Sequence, residues 1–175
     1  MEYVTNLSKE DPSIATTSKF NLEFTYPVQY YDFHVYYVAH NKTSVEESTN
    51  LRNKLLLDFP EYCSNGSILV KKLYTDDHVI GPHITHFWEA DVARPEVFIE
   101  VLSWFQLNHG NLSVLIHPQT GDDLTDHTSS ALWLGDKLPL IVEHLPPKDG
   151  SIPEFGVKGG DRIPVENFKS HKRRF

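Results

Sequence analysis

The chain predicts an α+β fold: a ferredoxin-like βαββαβ antiparallel sheet with two helices on one face and a C-terminal extension. Three observations carry this expectation. Four short stretches are rich in aromatic and β-branched residues, two longer stretches repeat apolar residues at helical spacing, and the two kinds follow one another in βαββαβ order. Two helices can cover only one face of such a sheet, so the other needs a ligand, a partner or the C-terminal segment to cover it.

The first strand is expected from Tyr30 to Val38, where alternation sets Tyr31, Phe33, Val35 and Tyr37 on one face and Asp32, His34 and Tyr36 on the other. Ser44 with Glu47 reads as a capping box, and Leu51, Leu55, Leu56 and Phe59 repeat at helical spacing until Pro60. Ser67 to Tyr74 is the second expected strand and Pro82 to Asp91 the third, joined by a polar turn containing Asp76 and Asp77. On the third strand His83, Thr85, Phe87 and Glu89 share one parity, while Ile84, His86, Trp88 and Ala90 share the other. Pro95 suits a first helical turn, Val97, Phe98, Val101, Leu102 and Phe105 form an apolar stripe, and Gly110 suits the position beyond its end. The fourth strand is Leu112 to His117. After it a short helix is expected over Ser129 to Leu134 and an edge strand over Leu138 to His144.

With 175 residues and 39% hydrophobic content the chain suits a single domain. The expected organisation is a flexible arm over residues 1–25, a domain over 26–145, and a Pro/Gly-rich, basic tail over 146–175. Apolar runs such as Val35 to Ala39 fall far short of the roughly 20 residues that span a bilayer, and no signal peptide or presequence pattern is visible. The expectation is a cytoplasmic protein with access to the nucleus and no membrane partner. A formal charge of −8 opposes binding to phosphate backbones, so no nucleic-acid partner is expected. Cys63 is the only cysteine, which excludes an internal disulfide and a thiolate zinc cluster and leaves His, Asp and Glu as metal ligands.

Ten histidines are present, and their placement is the strongest chemical signal. His117-Pro118-Gln119-Thr120-Gly121-Asp122-Asp123-Leu124-Thr125-Asp126-His127 follows directly on the apolar run Leu112 to Ile116, so a buried strand opens at once into polar chemistry. His117 ends the fourth strand, where its imidazole can meet those of His34 and His83. His40, His78, His109, His144 and His171 lie in turns, helix ends or the tail and read as structural, and His86 as packed beside Trp88.

The blocks Asp32-Phe33-His34-Val35-Tyr36, Gly81-Pro82-His83, His117 to Asp122, Asp126-His127 and Trp133-Leu134-Gly135 closely resemble the DOPA 4,5-dioxygenase family of fungi and bacteria, from about Tyr30 to about Val142. Members usually carry His-x-His in the first strand, whereas this chain has Asp32 at the first of those positions. The resemblance implies extradiol cleavage of a catechol such as L-DOPA by O2 at a non-haem iron(II) centre, with zinc or manganese able to enter in purified protein. It implies His34, His83 and His117 as metal ligands, Asp32 as a carboxylate ligand or catalytic group, and His127 as the acid/base that moves the catechol proton. Tyr36, Phe87 and Trp133 would form an aromatic wall for the substrate, with core packing the alternative for Trp133. Asp126 either orients His127 or binds the loop backbone, and Asp122 either caps the following turn or supports His117.

Two other readings stand beside this one. A catalytically silent protein of the same fold would bind a metal or an aromatic ligand without turnover, and Asp32 is the residue that motivates it. An RNA platform on the open sheet face is opposed by the charge and by Thr85-His86-Phe87-Trp88-Glu89, which lacks the glycine-and-aromatic signature of such modules. Pairing through that face would permit a homodimer.

Overall fold

The structure is a computed structural model that describes residues 22–73, 80–145, 148 and 155. The expected arm up to residue 21, the turn at Asp76 and Asp77, and all of the expected tail except Lys148 and Phe155 lie outside the described residues.

Five strands, β1 (Tyr31–Tyr37), β2 (Ile68–Val70), β3 (His86–Val92), β4 (Val114–Pro118) and β5 (Leu132–Leu134), form one sheet in the order β2-β3-β1-β4-β5. All four pairings are antiparallel. Four of the strands give the ferredoxin-like arrangement expected from the sequence, and β5 extends it beyond β4. Helices α1 (Lys42–Asp58), α2 (Pro60–Ser64), α3 (Pro95–Asn108) and α4 (Asp123–His127) follow the strands in turn. No helix among the described residues is long and apolar enough to cross a membrane.

The main core lies between one sheet face and the helices α1 and α3. Phe33, Val35 and Tyr37 of β1 meet Leu51 and Leu55 of α1 and Val97, Val101 and Phe105 of α3. The four-residue spacing of the α3 trio places all three on one side of the helix, and each is fully buried. Phe105 stacks on Phe33 with ring centroids 5.1 Å apart. Packing begins ahead of β1, where Phe24 meets Tyr31 and Phe98 edge to face.

Several local expectations are corrected. The expected capping box does not form: α1 starts earlier, with Asn41 as the cap accepting from the Ser44 amide at 3.2 Å. Ser44 instead accepts from the Val38 amide, and Glu47 accepts from the Asn111 amide, tying α1 to the turn after α3. Gly110 in that turn has φ of +61°, and a Cβ there would stand 2.7 Å from the Glu47 carboxylate, so the turn requires glycine. The helix expected over Ser129–Leu134 is a turn followed by β5. The local helix is α4, nucleated earlier by Asp122, which caps it through the Thr125 amide. The edge strand expected over Leu138–His144 shrinks to an isolated bridge between Leu140 and His83, followed by a 3-10 turn at Val142–His144. Pro139 lacks the N–H that a continuous ladder needs. The third strand starts at His86 rather than Pro82, which leaves His83 in the segment before it.

Phe105→Ala should lower the unfolding free energy by about 3–5 kcal/mol in urea titrations, because it removes a fully buried ring from both Phe33 and the helix–sheet interface. Ile99→Ala, on the same helix but 61% exposed, should change it by no more than about 0.5 kcal/mol.

Candidate metal centre

The second face of the sheet carries the chemistry. Strand alternation turns Asp32, His34 and Tyr36 away from the main core, and the register sets Asp32 opposite Asp91 on β3 and His117 on β4. His127 enters from the last residue of α4. His83 is held from the C-terminal side: Leu140 bridges it, the Ile141 amide donates to the Pro82 carbonyl at 2.7 Å, and His144 Nδ1 donates to the Gly81 carbonyl at 3.0 Å.

Four imidazoles from distant parts of the chain therefore share one site. Ring centroids lie 4.6 Å apart for His34 and His83, 5.0 Å for His34 and His117, and 3.9 Å for His117 and His127. His34 is the hub. Its Nε2 lies 3.0 Å from His117 Nε2, and it belongs to two groups whose candidate ligand atoms all fall within 4.8 Å of one another: His34 with His83 and His127, and His34 with Asp32 and His117. The expected trio of His34, His83 and His117 is thus divided between two groups that meet at His34.

Each outer imidazole is oriented by a partner on Nδ1. His117 donates to the Pro118 carbonyl at 2.9 Å, His127 donates to the Asp123 carbonyl at 2.8 Å, and His83 Nδ1 lies 2.7 Å from the Tyr36 hydroxyl. The two carbonyls set the tautomer of His117 and His127, and in all three rings Nε2 is the nitrogen left for a ligand. His34 Nδ1 has no hydrogen-bond partner among the described residues, although it is buried.

Burial keeps the whole set neutral. It pushes His34 well below the ordinary histidine range, His83 down to about 3 and His127 down to about 4, with neighbouring imidazoles adding to each shift. His117 is also lowered, chiefly by burial, against the pull of the Pro118 carbonyl and nearby carboxylates. Asp32 is raised by burial, and next by Glu89, to about 7. Its carboxyl, 3.9 Å from His117 Nε2, therefore faces a neutral ring rather than completing an ion pair.

An acidic flank adjoins the imidazoles. Lys71, just past β2, pairs with Glu89 and lies 3.3 Å from Asp91, and Asp32, Glu89 and Asp91 bring their oxygens within 4.8 Å of one another. Glu89 is held low despite burial because Lys71 and Asp91 bind its charged form, while Asp91 is driven well up by burial and by Glu89 and Asp32. Gln119 Nε2 donates to Asp32 Oδ2 at 2.5 Å, and the Gln119 backbone bonds to both Gln29 and Tyr30. The sequence reading assigned no role to Lys71, Asp91 or Gln119, nor any site role to Glu89. The parity of β3 already put Glu89 with His83, but only the strand register brings Asp91 against Asp32.

The three aromatic residues named for the substrate wall pack together beside the imidazoles. Tyr36, Phe87 and Leu115 form a second small core with Trp133, Leu138 and Leu140, so the segment after β4 closes over this face. Phe87 stands 4.8 Å from His34 and 4.3 Å from His83, and Tyr36 stacks on Trp133 at 5.7 Å. Asp126 and Asp122 do different work from orienting imidazoles. Asp126 accepts from the Thr120 amide and hydroxyl at 2.8 and 2.7 Å, and Asp122 caps α4 and pairs with Lys148 at 3.2 Å. His127 is oriented instead by the backbone of its own helix.

Comparison with known proteins agrees with this architecture. The sequence profile of the Dopa 4,5-dioxygenase family matches residues 31–144. An uncharacterized 21.2 kDa protein of Botryotinia fuckeliana is 30% identical over 142 residues, covering 74% of this chain and 73% of that protein. The DOPA 4,5-dioxygenase of Amanita muscaria is 30% identical over 127 residues, 72% of this chain but only 54% of the fungal enzyme, so the match spans about half of its length. The crystal structure of a candidate dioxygenase from Nostoc punctiforme superposes with a TM-score of 0.57 at 28% identity, over 70% of this chain and 96% of that one.

The neutral imidazoles make stability depend on pH in the metal-free protein. Between about pH 4 and 6.5 the unfolded chain protonates His83 and His127 and the folded chain does not, and the lowered His34 and His117 act in the same direction, so stability rises with pH and is lost on acidification below about 6.5. Asp32 and Asp91, protonated when folded, act in the opposite direction but are outnumbered by four lowered imidazoles. His127→Gln should flatten the slope of urea-derived stability by about one proton, or about 1.4 kcal/mol per pH unit. An unchanged slope would contradict a neutral, buried His127.

Proposed function

Because the chain belongs to the Dopa 4,5-dioxygenase family, we propose that it is an extradiol ring-cleaving dioxygenase, opening a catechol such as L-DOPA with O2 at a non-haem iron(II) centre. The observation that carries the reading is the convergence of His34 Nε2 and His117 Nε2 to 3.0 Å in a buried site. In the metal-free chain that approach is a hydrogen bond between the two rings, and it brings two nitrogens close enough together that they would both reach a single ion. Among the described residues His34 Nδ1 and Asp32 Oδ1 are buried without hydrogen-bond partners, polar atoms that a bound ligand or water would satisfy.

The donor set fits iron(II), and zinc or manganese as occupants of purified protein: neutral imidazoles with a carboxyl beside them are the ligand types of open non-haem iron sites. His34, His83 and His117 would hold the ion, with Asp32 as the adjoining carboxylate. When bound, the ion supplies Lewis acidity toward the catechol oxygens and a redox-active partner for O2.

The protein's own groups do the rest. His127 donates Nδ1–H to Asp123, so its Nε2 can take a catechol proton and return it to the oxygen formed on ring opening. Asp32, titrating near neutrality, is the second group that can hold a proton at its carboxyl. Tyr36, Phe87 and Trp133 pack beside the imidazoles as an apolar wall that would exclude water from the bound catechol. The grouping of His127 with His34 and His83 supports a second assignment, in which His127 is a ligand and His117 the acid/base.

Reconstituted anaerobically with ferrous iron, the protein should consume O2 with a catechol and form a yellow semialdehyde. His34→Ala and His83→Ala should lose the metal. With the roles as proposed, His117→Ala loses it too, while His127→Ala keeps it and turns over about 10²–10⁴-fold more slowly. Retained metal in His117→Ala with lost metal in His127→Ala would exchange those roles. Metal binding without O2 uptake across a catechol panel, with turnover restored by Asp32→His, would instead favour the silent binding protein.

A further inference from the structure

His83 is the imidazole of the centre that neither a regular strand nor a helix carries. Its backbone is fastened through Gly81, Pro82 and Leu140, but none of these contacts fixes the rotation of the ring. The ring's one hydrogen bond among the described residues is that between Nδ1 and the Tyr36 hydroxyl, at 2.7 Å, with both residues 3% exposed. Tyr36 is itself immobilised: Trp133 stacks on it at an interplanar angle of 13°, and Phe87 closes the side at 6.0 Å.

We propose that the Tyr36 hydroxyl is a positioning group for the metal centre, holding the His83 ring so that Nε2 is presented to the ion. The inference rests on the reading of His83 as a ligand. It gives Tyr36 a role beyond the substrate wall, since the hydroxyl is turned to His83 while the ring face is taken by Trp133.

A phenol suits this position for a reason that the partners of His117 and His127 do not share. Backbone carbonyls only accept, and so hold those rings in the Nδ1–H tautomer at all times. A hydroxyl both donates and accepts. With Nε2 given to an ion, Nδ1 carries the proton and donates to the phenol oxygen; without an ion, the phenol can donate to Nδ1 and leave the proton on Nε2. Tyr36 therefore satisfies His83 in the empty and the loaded site without moving its ring.

Tyr36→Phe keeps the ring and its stack on Trp133 and removes only the hydroxyl. Cobalt(II) titrated into the metal-free full chain, followed by its visible absorption, should bind about 10- to 100-fold more weakly to Tyr36→Phe than to wild type, with altered bands and an unchanged far-ultraviolet dichroism spectrum. Trp133→Phe, which alters the packing but keeps the hydroxyl, should bind close to wild type. Equal cobalt affinity in Tyr36→Phe and wild type overturns the inference and leaves the metal centre standing. Absence of cobalt binding by wild type, or full binding by His83→Ala, overturns it together with the reading of His83 as a ligand. Independently of any variant, ¹⁵N-histidine spectra of the zinc-loaded wild type should show His83 protonated at Nδ1 with that proton protected from exchange. Protonation at Nε2 instead would sink the proposal.

Discussion

Four imidazoles share one buried volume here, and they can do so only while no two neighbouring rings are charged together. Two like charges about 4 Å apart repel by about 4 kcal/mol even at an effective dielectric constant near 20, and several such pairs would exceed the stability of an ordinary domain. The structure meets this constraint by desolvating the rings, which lowers His34, His83, His117 and His127 alike. The state that removes the repulsion is also the one that leaves nitrogen lone pairs free to bind a cation. Packing and chemistry thus ask for the same protonation state.

The sheet gives that cluster its position. β1 lies between β3 and β4, so its outward residues, Asp32, His34 and Tyr36, are flanked on both sides by strands that can contribute partners. β4 supplies His117, and the segments beyond the strand ends supply His83 and His127. The inward residues of β1 are bound into the core beneath α1 and α3, which makes the strand a rigid support. Closure over the polar face comes from the segment after β4, through β5 and Leu138 to Leu140. Beside the rings, Lys71 with Glu89, Asp91 and Asp32 forms an anionic flank with one lysine to three carboxyl groups. A bound dication would be stabilised by that surplus, and without one it is relieved by protons on Asp32 and Asp91.

Much of this was legible in the residues. The alternation of β1 separated its core face from its chemical face, the stripes of α1 and α3 placed the helices, and the His117 to His127 block marked the site. These features are local: they follow from the two-residue period of a strand and the 3.6-residue period of a helix. The failures were also local decisions, but ones settled by distant partners. Ser44 and Glu47 have the pattern of a capping box, yet Val38 and Asn111 claim their side chains. Ser129 to Leu134 is neutral enough toward helix formation that pairing with β4 decides it. Asp126, adjacent to His127 in sequence, is used by Thr120.

By itself, then, the sequence determined the βαββαβ order of the elements up to β4, the sidedness of β1 and the kinds of donor that gather on its polar face, because spacing along one chain segment settles each of them. Only the tertiary structure decided which donors meet: that His34 is the hub, that Asp91 and Lys71 stand beside Asp32, and that Tyr36 serves His83. Those contacts join residues 47 or more positions apart in the cases of Tyr36 with His83 and His34 with His117. No sequence period reaches that far; the register of β1 against β3 and β4 does.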